Sequence, residues 1–435
     1  MDVIKQLPVA ELEQTMSTFV QPVLDQLPEK RLKAVVMLIL QGLLAGQSPL
    51  ITQIARGVDR TAQSTWSTAK RIYRFMWNPR FSHRELLKGL YGVGQQRVAA
   101  YQPEALIVAI DPVNFEKPYT KKLAGVSTVM KSTPPSLNGQ KRLTRGYPAI
   151  TATIVNLPEP VITYANWFSY TLDFRSENWE IYRAIRTTRA LFPDQALCFV
   201  ADSGFDDQKI FHQMDRVQAA FVIRVQHENR WVEVYNDRLD RWEAEHLNDL
   251  IATVPFVCEL NTQFHHARQV RTVAVRLGWF KIRIATTFSV LWVLVIHDPQ
   301  HEKDIALITN RPLDTARDAQ IAFITWRHRP FIEHTYRLDQ EAGLDVEDMR
   351  VQTLERMRRL FVLVLLAALF VYFIDQTWPE PAVTWLRHLG GKLDLVSDLD
   401  GPYILLAGIG AVYACVATLT FVLLHPFPRL QDTYG

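Results

Sequence analysis

The chain has 435 residues, of which 48% are hydrophobic and 21% charged, a composition typical of a folded globular protein with room for two or three domains. Its formal net charge is only +3, and its three cysteines lie far apart without a CxxC pair, which argues against a disulfide framework or a zinc site. The N-terminus lacks the apolar core of a signal peptide, and we expect a cytoplasmic protein.

Residues 1–100 are predicted to be helical. Apolar residues recur at helical spacing over 29–46 and stop at Gly46, and two more helices are predicted over 48–58 and 61–78, the latter capped by Thr61 or Ser64. Short helices joined by polar turns, one of them basic, are compatible with a helix-turn-helix arrangement.

Positive charge is concentrated in two segments. Residues 30–97 carry twelve Lys or Arg and two acids, and residues 117–145, from Lys117 to Arg145, carry seven Lys or Arg and no acid. Such clusters suit a polyanion such as DNA, although a solvated basic face is the common alternative. Aromatic residues interleaved with the charges over 70–81 favour nucleic acid. The DNA-contacting residues predicted from these segments are Arg71, Arg74, Lys121, Lys122, Lys141 and Arg142.

From residue 105 the periodicity changes to that of strands. Three predicted strands are followed by helix, strand, helix and strand, which indicates a mixed sheet with helices on its faces. The predicted strands are 105–111, 149–157, 161–172, 196–202 and 219–226, and the predicted helices are 176–192, capped by Ser176, and 206–217.

A β-rich block and a helical C-terminal part complete the chain. Residues 227–305 alternate in polarity and are interpreted as an insertion, followed by a helix that starts near Asp314 or Thr315. The fifteen uncharged residues of 360–374 are typical of a buried helix. The 22 uncharged residues of 403–424 are a membrane candidate by length, interrupted by Gly408 and Gly410. We expect a core helix or helix pair there and no membrane partner; a membrane-anchored protein is the alternative.

Two buried strands end on an acid. The apolar run 106–110 leads into Asp111, and Pro112 is expected to break the strand there, whereas Asp202 follows a second apolar run and precedes Gly204. For either acid alone, a turn-forming Asp is the simpler interpretation. If the strands are neighbours, however, two carboxylates meet at the carboxyl edge of the sheet, where a divalent cation relieves their repulsion.

A third acid is expected from a helix beside those strands. The segment 325–344 offers Glu333, Asp339 and Glu341, with Asp345 just beyond. Spacings of three, four and seven residues place Trp326, Arg329, Glu333 and Gln340 on one helical face. An ordinary Arg–Glu surface pair is the alternative for Arg329 and Glu333. Pro330 predicts a kink or a helix start near residues 329–330.

This order of acids and elements resembles the bacterial insertion-sequence transposases, which are DDE enzymes with an RNase H-like core. The branch resembled carries a β-strand insertion before the glutamate and has the signature Tyr, two residues, Arg, three residues, Glu, six residues, Lys. The matching positions are Trp326, Arg329, Glu333 and Gln340, so the aromatic residue is Trp and the lysine is replaced by Gln. The segment "ADSGFDD" is similar to the family's Asp-x-Gly-Phe motif, and the resemblance in organisation covers residues 30–375.

The resemblance implies an α/β fold: an RNase H-like mixed sheet flanked by helices, with a β-rich insertion and a helical N-terminal domain. The implied domains are a DNA-binding domain at 1–100, the first part of the catalytic core at 101–226, the insertion at 227–305, the second part of the core with the Glu-bearing helix at 306–375, and a C-terminal helical region at 376–435.

The resemblance also implies an activity, namely cleavage at transposon ends and strand transfer into target DNA. Asp111, Asp202 and Glu333 would be the catalytic residues and would hold two Mg²⁺, for which Mn²⁺ can substitute. The implied partners are the terminal inverted repeats, the target DNA and a second copy of the chain, in a bacterial cytoplasm and associated with the nucleoid. The alternative, motivated by Gln340, is a catalytically inactive DNA-binding protein derived from a transposase.

Further residues are assigned to DNA by the same resemblance. The signature residues expected on DNA are Arg329, Trp326, Arg337 and Gln340, with Arg337 or Arg350 as candidates to replace the missing lysine. Trp279 and Trp292 in the insertion are candidates for stacking on an extruded base, although packed strand residues are the more ordinary interpretation of both.

Overall fold

In the computed structural model of the chain, the described residues are 7–58, 64–118, 122–131, 143–172, 174–236, 238–266, 269–284, 290–300, 303–333, 343–391 and 401–424. Several residues singled out above lie outside these ranges: Lys121, Lys141, Arg142, Arg337, Asp339, Gln340 and Glu341.

The helices and strands follow in chain order. The helices are α1 (Val9–Phe19), α2 (Gln21–Asp25), α3 (Lys30–Gly46), α4 (Ile51–Val58), α5 (Thr65–Met76), α6 (His83–Tyr101), α7 (Glu177–Leu191), α8 (Gln208–Arg216), α9 (Leu247–Thr253), α10 (Ala316–Trp326), α11 (Leu354–Thr377), α12 (Glu380–Gly390) and α13 (Pro402–Leu424). The strands are β1 (Ala105–Glu116), β2 (Ser127–Met130), β3 (Leu143–Ile154), β4 (Val161–Trp167), β5 (Ala196–Ala201), β6 (Ala220–Arg224), β7 (Trp231–Asn236), β8 (Arg241–His246), β9 (Cys258–His266), β10 (Gln269–Arg283), β11 (Val290–His297) and β12 (Ile305–Thr309).

All twelve strands in the described part of the chain belong to one mixed sheet flanked by helices. The strand order is β2-β3-β1-β5-β6-β12-β11-β10-β7-β8, with β4 beside β3 and β9 beside β10. β1 runs antiparallel to β3 and parallel to β5, and β5 runs parallel to β6. The strands of the β-rich block continue this sheet, because β12 pairs with β6 on one side and with β11 on the other.

The prediction that the first strand stops at Asp111 is wrong. β1 continues to Glu116, and Pro112 pairs with Ile150 of β3. Backbone hydrogen bonds near both ends of the strand show that its odd-numbered residues bond to the β3 side. The nitrogen of Pro112 therefore faces the opposite side, where pairing with β5 has already ended at Ala109. Proline costs no ladder hydrogen bond at such a place.

Helices cover both faces of the sheet. On one face, Ile185 of α7 and Phe211 of α8 share a core with Phe199 of β5. On the other face, Phe323 of α10 packs in a core with Val200 of β5. Because β5 is covered from both sides, its residues are apolar almost throughout, as expected for a central parallel strand.

The N-terminal helices share a core with the later helix α11. Ile39 of α3, Ile72 of α5 and Leu90 of α6 belong to the same buried cluster as Leu363 of α11. The helix boundaries agree with the sequence patterns, since α3 ends at Gly46 and the Ser64 hydroxyl accepts a hydrogen bond from the first turn of α5.

Among the described residues, two helices are long and apolar enough to cross a membrane by length and composition, or up to three if the bent pair α3 and α4 counts as one span. In α11 the most apolar window is 89% buried inside the protein, which fits the buried helix predicted over 360–374. In α13 the corresponding share is 44%. Of the helix or helix pair expected over 403–424, the structure has a single continuous helix, so the glycines do not break it. A Cβ at Gly408 would lie 1.9 Å from the carbonyl oxygen of Leu386, so this glycine lets α12 and α13 approach closely.

Candidate active site

Two carboxylates stand at the same level on neighbouring parallel strands. The last residue pair between β1 and β5 joins Ala109 to Val200. Asp111 and Asp202 each follow that pair by two residues, so the parallel register brings them to the same level, just past the end of the β1–β5 pairing. The expectation that the two acid-bearing strands are neighbours is thereby met.

The third carboxylate arrives from the end of α10. Thr315 caps this helix in a capping box with Asp318, and the helix ends at Trp326. A turn over residues 327–330 follows, and helical residues resume at 331–333, which is the break that Pro330 predicted. The indole N–H of Trp326 donates to the carbonyl oxygen of Ala201 at 3.2 Å, which fixes the end of α10 next to Asp202.

Arg329 contacts all three carboxylates. Its Nη2 lies 2.9 Å from Oδ1 of Asp111 and 3.8 Å from Oδ2 of Asp202, and its Nη1 donates to Oε1 of Glu333. The Arg329 side chain is 17% exposed, that of Asp111 12%, that of Asp202 42% and that of Glu333 48%. Asp111 is therefore the buried acid of the cluster, and Asp202 and Glu333 form its solvent-exposed rim.

Local backbone structure orients Asp202. Its Oδ1 accepts a hydrogen bond from the N–H of Gly204 at 2.9 Å, as the cap of a short 3₁₀ turn over 203–205. A Cβ at residue 204 would lie 3.2 Å from that oxygen, so glycine leaves room for the carboxylate. Oδ2 is thereby directed toward Arg329.

The cluster has more acidic than basic groups, and this imbalance shifts the pKa values of its members. Burial raises the pKa of Asp111 to about 7; Arg329 opposes this rise, and the charges of Asp202 and Glu333 add to it. Burial alone would lower the pKa of Arg329, but Asp111, Glu333 and Asp202 outweigh it, so the guanidinium pKa is raised and the group stays charged. Three acids thus share one cation.

The donor set fits a divalent cation. Carboxylate oxygens are the ligands that Mg²⁺ prefers, and the cluster has more negative charge than Arg329 neutralises. Within the described residues, no group of three or more His, Cys, Asp or Glu side chains has a metal-holding arrangement as it stands. In this cluster the Arg329 guanidinium takes the central position instead.

A cleft of about 370 Å³ opens beside Asp202 on the side of the sheet that α7 covers. Asn114 of β1, Ile181 of α7 and Tyr170 line it, together with Asp202 itself. Of the three acids of the cluster, Asp202 is the one that lines this cleft.

Lys117 has a structural position that its place in the basic segment did not reveal. It is 4% exposed, and its Nζ donates to the carbonyl oxygens of Val346 and Met349 at 3.3 Å and to that of Glu347. Burial lowers its pKa to about 8. Counting Lys117 among the residues of a polyanion-binding surface was therefore wrong. It instead ties the end of β1 to the segment that follows the Glu333 region.

The described residues predicted to contact DNA are mostly exposed. Arg71 and Arg74 lie with Lys70 on the exposed side of α5, between the exposed rings of Trp66 and Trp77. Lys122 is exposed as well. Their role on DNA stays a prediction.

The tryptophans assigned to DNA are packed. Trp279 and Trp292 are partly buried against the core that α10 covers, and so is Trp326. Packing is the more ordinary interpretation of strand tryptophans, and base stacking by Trp279 or Trp292 stays a prediction.

Two contacts of the site carry no sequence signal. Arg329 and Asp111 are 218 positions apart, and Trp326 and Ala201 are 125 apart. Helical spacing pairs Arg329 with Glu333, and that contact is present. Nothing in the spacing indicates that the same guanidinium also reaches Asp111 and Asp202.

Comparisons with known proteins give weak likeness to solved structures alone. No protein-family model and no curated protein matches the chain. Among solved structures, a cryo-EM structure of a piggyBac transposase synaptic complex with hairpin DNA is similar over 99% of this chain and 82% of that chain, with 8% sequence identity and a TM-score of 0.45. At that score and identity, the likeness assigns neither a family nor an activity to this chain.

Proposed function

We propose that this chain is a DNA transposase of the DDE type, which cuts DNA at transposon ends and transfers the freed strand into target DNA. The observation that carries the proposal is the meeting of Asp111, Asp202 and Glu333 around Arg329. These acids come from the first strand β1, from the residue that follows β5, and from the helical residues 331–333 after the β-rich block. That order is the one the resemblance to insertion-sequence transposases implies.

The architecture supports an RNase H-like core. β1, β3 and β4 form an antiparallel group, and β5 and β6 continue the sheet in parallel with β1. Helices α7 and α8 cover one face and α10 the other. Asp111 of β1 and Asp202, which directly follows β5, lie just past the point where the parallel pairing of these adjacent strands ends, and open α/β sheets place their ligand sites beyond the carboxyl ends of parallel strands.

Asp111, Asp202 and Glu333 would hold two Mg²⁺ or Mn²⁺. When bound, such ions activate the attacking oxygen and neutralise charge on the leaving oxygen of a phosphodiester. The protein's own part is positioning: Gly204 orients Asp202, Trp326 fixes the end of α10, and the guanidinium of Arg329 is suited to a DNA phosphate.

The surface of α5 is our candidate for binding the transposon ends. Lys70, Arg71 and Arg74 provide three positive charges, and Trp66 and Trp77 provide exposed rings next to them. Positive charge with interleaved aromatic residues suits the DNA backbone. Because two ends must be cut and joined together, we propose a homodimer on DNA.

The test is strand cleavage of DNA that carries the inverted repeats flanking the gene, in the presence of Mg²⁺. We expect cleavage by the wild type and a loss of about a thousandfold or more in Glu333→Gln, because a metal ligand is removed. Glu228→Gln is the matched control, since Glu228 is an exposed acid on a loop outside the cluster. Equal cleavage by wild type and Glu333→Gln would remove Glu333 from the chemistry.

A DNA-binding protein without catalysis is the second candidate. One observation that favours it is Gln340, which stands where the signature has a lysine. The other is the position of the Arg329 guanidinium, which lies among the carboxylates that would hold metal. DNA binding by the wild type without any metal-dependent cleavage would favour this candidate over the transposase.

A further inference from the structure

The position of Arg329 is unusual for a residue that is expected to contact a DNA phosphate. Both terminal nitrogens of its guanidinium are engaged with the acids that would hold metal: Nη2 with Asp111 and Asp202, and Nη1 with Glu333. A guanidinium held there does not present the edge formed by its two terminal nitrogens to a phosphate at the same time. It also occupies the space between the oxygens that would coordinate a cation.

The contacts of Arg329 are a poor fit for an arginine with a permanent structural role in this position. Guanidinium offers five N–H donors, and Nε of Arg329 is buried without a hydrogen-bond partner among the described parts of the chain. A buried donor left unpaired costs free energy. The contact to Asp202 is long at 3.8 Å, and three carboxylates around one cation leave uncompensated negative charge. The group is held by charge more than by hydrogen-bond geometry.

We infer that Arg329 is a tethered substitute for the divalent cation: its guanidinium holds the three carboxylates together in the DNA-free protein and must move out before metal binds. The inference rests on the proposed function, because it assumes that these acids are the metal ligands. It adds a regulatory step, in which a DNA phosphate draws the guanidinium out and so opens the site to metal.

The surroundings of Arg329 allow this movement. Its backbone is fixed, because its N–H donates to the Trp326 carbonyl oxygen and its own carbonyl accepts from Ile332. The side chain is long, and the rim acids Asp202 and Glu333 are about half exposed. A rotation of the side chain alone therefore brings the guanidinium from the cluster to the rim, where the planar fork matches a phosphate.

The consequence is positive coupling between metal and DNA. If DNA removes the internal competitor, DNA raises the affinity for metal, and by linkage metal raises the affinity for DNA by the same factor. Without DNA, the wild-type protein binds metal weakly, because any incoming cation must displace a charge that is already seated.

Calorimetric titration of Mn²⁺ into DNA-free protein tests the inference. We expect Arg329→Ala to bind Mn²⁺ about tenfold more tightly than the wild type, because removing one nearby positive charge favours a cation. Arg329→Gln, which keeps a polar side chain of similar length, should behave in the same way and serves as the variant of choice if the alanine variant folds poorly. Arg317→Ala is the matched control, because it removes one charge from the exposed first turn of the same helix. Equal or weaker Mn²⁺ binding by the Arg329 variants would overturn the inference.

A second titration tests the coupling with the inverted-repeat duplex, after subtracting Mn²⁺ binding by the duplex alone. Bound duplex should raise the Mn²⁺ affinity of the wild type and leave that of Arg329→Ala unchanged; an equal rise in both would contradict the inference. The two proposals fail differently. Mg²⁺-dependent cleavage by the wild type, together with equal Mn²⁺ affinity in all variants, would overturn only the substitute role of Arg329. Absence of both cleavage and Mn²⁺ binding would overturn the transposase proposal as well.

Discussion

Arg329 and Arg359 both form ion pairs in largely buried positions, and their surroundings differ. Arg359 of α11 pairs with one carboxylate, Glu355, at 3.0 Å, and donates to the carbonyl oxygens of Met76 at 3.0 Å, Asn78 at 2.9 Å and Phe81 at 2.5 Å. Arg329 faces three carboxylates, and its Nε is unpaired within the described residues. One charge is balanced and fully bonded, whereas the other is surrounded by surplus negative charge.

The difference separates a structural cation from a functional one. Arg359 closes the junction between α5, α6 and α11, and each of its contacts contributes to keeping that junction together. The acids around Arg329 repel one another, which costs stability and is tolerated where a further cation or substrate completes the site. Surplus charge, more than burial, marks the candidate active site.

The largest expected effect that tests this comparison is on the pH dependence of stability, which should differ between the carboxylates around Arg329 and the carboxylate beside Arg359. The folded-state pKa of Asp111 is about 7 against an ordinary 3.8, so between these values the folded protein holds a proton that the unfolded chain has released. In metal-free buffer, stability should therefore fall as pH rises from 3.8 to 7, by up to on the order of 4 kcal/mol.

Glu355 should show the opposite sign. Burial disfavours its ionised form, but the His83 ring, the His83 N–H and Arg359 outweigh burial and lower its pKa to about 2 from 4.5. Its contribution is present above pH 4.5 and is lost as pH falls toward 2. Urea unfolding against pH should show that Asp111→Asn removes the first slope and Glu355→Gln the second. Equal pH profiles of stability for the wild type and Asp111→Asn would mean that the pKa of Asp111 is not raised in the folded protein.

Removal of the structural arginine should give the next largest effect. We expect Arg359→Ala to lower the free energy of unfolding by about 3 kcal/mol, because it removes one partner of the partly buried Glu355 and leaves several carbonyl groups unpaired. Arg31→Ala, which removes an exposed charge on α3, is the control and should change the value by less than about 0.5 kcal/mol. A similar small change in both variants would break the distinction between the two arginines.

The smallest effect concerns the positioning of the site. Trp326→Phe keeps an aromatic ring in the core but loses the hydrogen bond to the Ala201 carbonyl, which should cost about 1 kcal/mol of stability. Because the bond fixes the end of α10 beside Asp202, Mg²⁺-dependent cleavage should fall more than this loss of stability explains. Unchanged cleavage would limit Trp326 to packing.

Local signals in the sequence predicted the elements well. The sequence predicts one helix start at Ser176 and another near Asp314 or Thr315, and the side chains of Ser176 and Thr315 cap α7 and α10. Pro330 was identified as a break, and α10 ends four residues before it. These features depend on residues a few positions apart, and the sequence displays them directly.

Features that depend on register or on distant contacts were missed or misinterpreted. Pro112 was expected to end its strand, but which side its nitrogen faces depends on pairing with β3 and β5. Lys117 was counted as surface charge, although it is buried against carbonyl groups more than two hundred positions away. The meeting of the three acids was inferred from their order along the chain, whereas the central seat of Arg329 had no sequence signal.

The most direct test of a shared metal site is iron-mediated backbone cleavage. Mg²⁺ is replaced by Fe²⁺, ascorbate and peroxide are added in the presence of the inverted-repeat duplex, and the protein fragments are mapped. A site shared by the three acids predicts cuts next to Asp111, Asp202 and Glu333 together, all of them lost in Asp111→Asn. Cuts that miss one of the three positions, or that persist in Asp111→Asn, would contradict a common site.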